Sequence, residues 1–337
     1  MEEFMMKAKG LRTLAVVMSM VLSIGAFAGC GSTPKDASNQ KVVNVGIVQL
    51  VEHPALDAAN KGFIDGLASK GYKENVNIKF DRQNAQADQS NLQNISQRFV
   101  NNNVDLVCAI ATPAAQSVAN ATKTIPIVAT AVTDYEEAKL VVTNKEPKGN
   151  VTGTTDMNPI AEQVDLLMKI LPNAKRVGTI YCSSEVNSQM QVRVMKEYAE
   201  SKGLVVEEAT VSTVNDIQQA AQSLMGKVDV IYVPTDNVMA SAIPTLVGVT
   251  DEAKIPLICG EANHVKAGGL ATLGVDYYKL GFQTGEMAAD ILSGKAKPES
   301  MPIQSLKEMQ TTINETVANK LGITIPEDLL KDAEIVK

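Results

Sequence analysis

Strand-like apolar runs alternate with helix-like stretches along most of this chain, and the whole alternation runs twice. Val42-Val43-Asn44-Val45-Gly46-Ile47-Val48 reads as a buried strand, and Ala55 to Lys70 as an amphipathic helix stopped by Gly71. Val76 to Phe80 is the next strand, Gln89 to Asn101 the next helix, and Val104 to Ile110 and Ile125 to Ala129 two further apolar runs. Thr112-Pro113 opens a helix in which Thr112 is expected to supply the N-cap oxygen and Pro113 to fill the first turn. Alternation of this kind lays helices over a parallel sheet. In the second half, Val45-Gly46-Ile47-Val48 returns as Val177-Gly178-Thr179-Ile180, and Ser69-Lys70-Gly71-Tyr72 as Ser201-Lys202-Gly203-Leu204, both 132 positions later. Val104-Asp105-Leu106-Val107 returns as Val228-Asp229-Val230-Ile231, and Ile125-Pro126-Ile127 as Ile255-Pro256-Leu257. One long doubly wound sheet is the alternative. Four matches in one order, at offsets of 124 to 132, favour two similar Rossmann-like α/β lobes with parallel sheets.

Two lobes need crossovers. Lys148 to Thr154 reads as a crossover strand between the halves, and Ala267 to Gly274 as the return to the first lobe. Tyr277 to Leu292 then forms a helix with Gly281, Gly285, Ala288 and Ala289 on its close-packing side, and Met301 to Ile313 is a candidate third crossing. The expected division is residues 42–151 plus 268–295 for lobe 1 and 152–267 plus 296–337 for lobe 2, joined by a multi-strand hinge.

The N-terminus carries Lys7, Lys9 and Arg12, then an apolar run from Leu14 to Ala28, then Gly29-Cys30. A charged start, a short apolar core and small residues before a cut site make a secretory signal, and the run is short of the roughly 20 residues needed to span hydrocarbon. Phe27-Ala28-Gly29-Cys30 resembles a bacterial lipobox, with Phe27 in place of the usual Leu. The resemblance implies residues 1–29 as signal peptide, Cys30 as a lipidated first residue, and polar residues 30–41 as a flexible tether. The expected location is the outer face of the cell membrane.

Removal of residues 1–29 leaves 308 residues with a net charge of −8. No basic run appears, which argues against a nucleic-acid partner. Cys108, Cys182 and Cys259 are too few and too scattered for a disulfide framework. With no Trp, six Phe and seven Tyr, the chain is poor in the aromatics on which sugar rings stack, so a sugar ligand is disfavoured.

Ligands of open parallel sheets bind beyond the carboxyl ends of the strands. In lobe 1 this selects Glu52 and His53, then Thr112, Pro113 and Ala114, then Thr133 and Asp134. In lobe 2 it selects Ser184, Glu185 and Asn187, then Thr235, Asp236 and Asn237, then Glu261, with Asp276 on the return crossover. Helix starts at Thr112 and Thr235 suit a carboxylate, and Asp134, Asp236 and Asp276 suit an ammonium, so a zwitterionic amino acid fits. His53 follows a strand end and is a candidate for the cleft; His264 has no such context. Neither histidine has a cysteine or acidic residue at metal-ligand spacing, so no metal and no cofactor are expected. No nucleophile elbow, Walker loop or dinucleotide fingerprint is present. Cys182 at a strand end leaves a racemase-like enzyme as a minor alternative.

Val51-Glu52-His53-Pro54-Ala55-Leu56-Asp57, Ala111-Thr112-Pro113-Ala114-Ala115-Gln116, Ser184-Glu185-Val186-Asn187-Ser188 and Tyr232-Val233-Pro234-Thr235-Asp236-Asn237 resemble signature blocks of bacterial ABC-transporter substrate-binding lipoproteins. Val275-Asp276-Tyr277-Tyr278 and Gln283-Thr284-Gly285 also fit. The resemblance implies a type I periplasmic-binding fold, ligand closed between the lobes, and delivery to a membrane permease driven by a separate ATPase. Some members are linked to aromatic amino acids, tryptophan above all. The expected protein is a monomeric, non-enzymatic solute-binding lipoprotein; an extracellular sensor that presents the solute to a membrane receptor is the alternative.

Overall fold

The computed structural model describes residues 42–337. The signal segment, Cys30 and the tether of residues 30–41 lie outside them. The first lobe opens with β1 (Val43–Gln49), α1 (Pro54–Ser69), β2 (Ile78–Asn84) and α2 (Gln89–Asn101). It continues with β3 (Leu106–Ile110), α3 (Thr112–Ala121), β4 (Ile127–Val132) and β5 (Val151–Thr155). The second lobe runs through α4 (Ile160–Ile170), β6 (Arg176–Cys182), α5 (Val186–Ser201), β7 (Val205–Val211), α6 (Ile217–Leu224) and β8 (Val230–Val233). Then come α7 (Asn237–Ser241), α8 (Ile243–Ala253), β9 (Leu257–Cys259), α9 (Ala262–Lys266) and β10 (Ala271–Gly274). The chain closes with α10 (Tyr277–Leu292), β11 (Gln304–Ser305), β12 (Gln310–Asn314), α11 (Glu315–Leu321), α12 (Glu327–Leu330) and β13 (Glu334–Val336).

There are two sheets. One is ordered β2-β1-β3-β4-β5-β11 and the other β7-β6-β8-β9-β10-β12-β13. The first five strands of each follow the same path, and all their pairings are parallel. The repeated sequence blocks therefore occupy equivalent strands: β1 with β6, β3 with β8, and β4 with β9. Among the described strands the one antiparallel pairing is β12 against β10, and β13 runs parallel to β12.

The crossings fall slightly later than expected. Residues 152–155 stay in the first sheet as part of β5, and β10 at 271–274 still belongs to the second. The chain therefore changes sheet after Thr155, after Gly274 and again between Ser305 and Gln310. The first two expected boundaries were drawn at glycine-bearing segments, but these glycines lie within or just before strands; the third, after residue 295, assigned β11 to the second lobe although it pairs with β5 of the first. At Gly153 the tight packing is specific: a Cβ would collide with the Ala129 carbonyl.

Each lobe buries its own core. In the first, Val45, Ile47, Val48, Phe63, Phe99, Leu106 and Ile110 are packed between the two helical layers. In the second, separate clusters cover the two faces of the sheet, one around Ile231 and Leu246, the other around Val230, Tyr232 and Ile258. Strands buried on both faces are what parallel sheets demand. Helix α10 returns to the first lobe and lies directly on α1. A Cβ at Gly281 would fall on the carbonyl oxygen of Ala59, and one at Gly62 on that of Tyr278. Glycine is required on both faces of this seam.

Candidate functional site

The carboxyl ends of both sheets face one another across a narrow space. Its cavity volume is only about 20 Å3, and it is lined by both lobes. The lobes also touch directly. His53 Nε2 lies 3.3 Å from Asn237 Oδ1, and Gln191 Nε2 donates to Thr133 Oγ1 at 3.5 Å. At the rim, Arg193 and Glu137 form an ion pair at 3.3 Å.

The first lobe presents the start of α1. His53 occupies the N-cap position but its side chain makes no capping hydrogen bond, and Pro54 fills the first turn. The amides of Ala55 and Leu56 have no intrahelical acceptor at this position, and both residues line the space. Next to them stand Ala131, held in a left-handed backbone conformation, and Thr133. Asp156, just past the end of β5, is buried. Its Oδ2 accepts from the Tyr277 hydroxyl at 2.7 Å. The Thr133 hydroxyl is near enough to favour the ionised form, yet Asp156 Oδ1 has no hydrogen-bond partner.

The second lobe presents carboxylates already engaged with its own helix ends. Asp236 caps α7 through the Met239 amide and also accepts from Ser188 Oγ at 2.7 Å and the Cys182 amide at 2.6 Å. Glu261 caps α9 through the amides of Asn263 and His264. Glu185 accepts from Asn237 Nδ2 at 2.6 Å and Asn187 Nδ2 at 3.1 Å. Gln191 ties Thr235 down at both ends, donating to its hydroxyl at 2.6 Å and accepting from its amide at 3.1 Å. Asn187 Oδ1 and both ring nitrogens of His264 are buried without a hydrogen-bond partner; His264 Nε2 is 3.3 Å from Glu261 Oε1 but not aligned with it.

Burial sets the charges here. It raises the carboxyls of Asp156, Asp236 and Glu261, and raises Glu185 further because Asp236 is close by. It lowers His53, and His264 to about 4. Both imidazoles are therefore neutral near pH 7. No lysine or arginine lines the space. The site is a buried pocket with acidic groups and no lysine or arginine, so a ligand ammonium would favour their ionised forms without a competing cation.

The structure brings His53, Thr133, Asn187, Thr235, Asp236, Asn237 and Glu261 to this space, with Glu185 bonded directly behind it. Others of the expected residues lie elsewhere. Glu52 and Ser184 are exposed. Asp134 is half-buried and caps the turn at Glu136 and Glu137. Asp276 is exposed and caps α10. Thr112 does not act as an N-cap: Ala111 holds that position with φ of 87°, and Thr112 is the first helical residue, its hydroxyl buried and unpartnered. Thr112, Pro113 and Ala114 stand back from the lining, because this loop turns into α3 directly at the strand end. Nor does Thr235 open a helix, since Asp236 caps α7.

Asp156, Gln191, His264 and Tyr277 were missed. Asp156 follows a strand end by the same rule that selected the others; reading 148–154 as a crossover strand between the lobes hid it. Cys182 is buried, and burial raises its thiol, so it is not a poised nucleophile.

The model of the family described as ABC transporter substrate binding protein matches residues 44–337. This chain belongs to that family. A tyrosine-binding protein of Clostridioides difficile is 44 % identical over 323 residues, covering 94 % of this chain and 93 % of the relative. A solved Streptococcus pneumoniae protein in complex with L-Trp is 43 % identical, with a TM-score of 0.85 over 88 % of this chain and all of that one. The ligand-free, open structure of a Clostridium difficile substrate-binding protein with adhesive properties is 44 % identical, covering 88 % of this chain and 99 % of that one, but its TM-score is 0.68. At matched identity, the structure resembles the complex more than the open form. The substrate-binding fold is of the type I periplasmic kind, and the chain is a binding component of an ABC transporter rather than an enzyme. Such components work outside the cytoplasm, with a permease as partner. No helix among the described residues is long and apolar enough to cross a membrane.

Proposed function

We propose that this binding protein captures an aromatic α-amino acid for import, closing its lobes over the ligand and releasing it to the permease. The observation that carries the reading is Asp156: a buried carboxyl with one oxygen free, in a space lined by no lysine or arginine. An α-ammonium supplies the missing donor. The uncapped start of α1 in the same lobe receives the α-carboxylate on the Ala55 and Leu56 amides, helped by the helix dipole. Leu56, Ala131, Ala240 and Tyr277 leave an apolar wall for a side chain. The cavity of about 20 Å3 is far below the roughly 300 Å3 of a small-molecule site, so an amino acid enters only when the lobes part. The relatives named for tyrosine and crystallised with L-Trp support an aromatic side chain. Ligand that touches both lobes stabilises the closed arrangement. We further propose that the chain acts as a monomer, tethered by lipid on Cys30.

Calorimetry of the purified protein against the twenty amino acids tests the ligand class. Heat with tyrosine, tryptophan or phenylalanine is expected, and Asp156→Asn should weaken binding by about ten- to a hundredfold, the scale of a hydrogen bond to a charged group. Silence with all twenty would refute the reading. Metabolic labelling with a fatty acid, absent in Cys30→Ser, tests the anchor.

A further inference from the structure

Half of the buried side-chain atoms without a hydrogen-bond partner, among the described residues, gather at one place. Among the described residues, His53 Nδ1, Asp156 Oδ1, Asn187 Oδ1 and both nitrogens of His264 are buried without hydrogen-bond partners, and all four residues line the interlobe space. Each such atom costs free energy unless something fills it. The carboxylate and amide oxygens call for donors. His264 is different. It is 1 % exposed, it sits on α9 in the second lobe, and both faces of its hydrogen-bonding capacity are unused.

The zwitterion, on the reading above, is held from the first lobe by Asp156 and the start of α1. The ligand side chain then points at the second lobe, where His264 waits. A neutral imidazole offers one donor and one acceptor. A phenolic hydroxyl also offers both, so it can pair with His264 in either tautomer. An unsubstituted phenyl ring offers neither. We propose that His264 is a specificity-determining residue that hydrogen-bonds the ring hydroxyl of the bound amino acid, so that the site selects tyrosine over phenylalanine. Burial keeps the imidazole neutral, which preserves the acceptor nitrogen that a protonated ring would lack. A site built to bond a hydroxyl penalises the ligand without one, because its own buried group is left bare.

This inference rests on the amino-acid reading but fails separately from it. Titration of the wild-type protein with tyrosine, phenylalanine and 4-methoxyphenylalanine is the first test. Tyrosine should bind about tenfold or more tighter than phenylalanine, and the methoxy analogue, which cannot donate, should lose most of that margin. The second test is His264→Leu, in which the tyrosine-to-phenylalanine ratio should collapse to within about threefold, and His264→Gln, which keeps a donor and an acceptor and should restore part of it. The third is 15N NMR of the histidine ring nitrogens, which should shift with saturating tyrosine and not with phenylalanine; a merely structural His264 would respond alike to both. Equal wild-type affinities for tyrosine and phenylalanine overturn the role of His264 and leave amino-acid binding intact. Silence with every amino acid overturns both.

Discussion

The two lobes share a strand order and differ in how they treat their helix ends. In the first, α1 and α3 begin without a side-chain cap. In the second, α5 also begins without one, but α7 and α9 are closed by Asp236 and Glu261 from their own loops. The same topology thus yields one surface with free amides and one with engaged carboxylates. An anionic group is welcomed more readily by the first, because the open start of α5 in the second stands beside the carboxyls of Glu185 and Asp236. Their packing differs too. The first lobe brings α1 and α10 into backbone contact through glycines, whereas Gly248 on α8 of the second has open space beside it.

The largest effect should come from that packing contrast. Gly281→Leu drives a side chain into the Ala59 carbonyl and should lower the Tm by about 10 °C or abolish folding of the first lobe. Gly248→Ala should be neutral or stabilise by up to about 1 kcal/mol. Similar melting curves for the two variants would break the contrast. Next, Asp236→Ala removes a cap and the partner of Ser188 and Cys182; a loss of about 1–3 kcal/mol in urea unfolding is expected. A stability unchanged from wild type would mean that Asp236 is free for the ligand after all.

A further effect concerns pH. The folded state holds a proton on Glu185 that the unfolded chain has already released, since burial and Asp236 raise its carboxyl. With more protons bound in the folded state, rising pH favours unfolding. Buried His53 and His264 act in the opposite sense below about pH 6.5, so ligand-free protein should lose stability most clearly from about pH 6.5 to about pH 8, and Glu185→Gln should flatten that slope. An unaltered slope would move the proton elsewhere. Smallest of all is the rim pair. Arg193 and Glu137 are each roughly half exposed, so Arg193→Ala should weaken ligand binding by less than about fivefold.

Much of the fold could be read from the chain. The repeats at β1 and β6, β3 and β8, and β4 and β9 mark equivalent strands, because a buried parallel strand needs a continuous apolar run. The small residues of α10 foretold a close helix contact, though not that α1 was its partner. The cleft was legible only by halves. The strand-end rule reached His53, Thr133 and Asn237, but it also chose Glu52 and Asp276, which lie one residue from the lining residues His53 and Tyr277 and point to solvent. Along a tight turn, neighbouring residues face opposite ways, and sequence carries no sign of which one turns inward.

The amino-acid sequence alone determined the two-lobed α/β architecture, the absence of an enzyme's constellation, and the set of loops from which a site could be drawn. Those follow from periodicity and composition, which act locally. Only the tertiary structure decided which carboxylates are consumed and which is left free. Asp236 and Glu261 look no different from Asp156 in the chain. Whether an acid caps its own helix or keeps an oxygen for a ligand depends on the donors that distant segments bring to it, and for Asp156 that donor is Tyr277, 121 residues away.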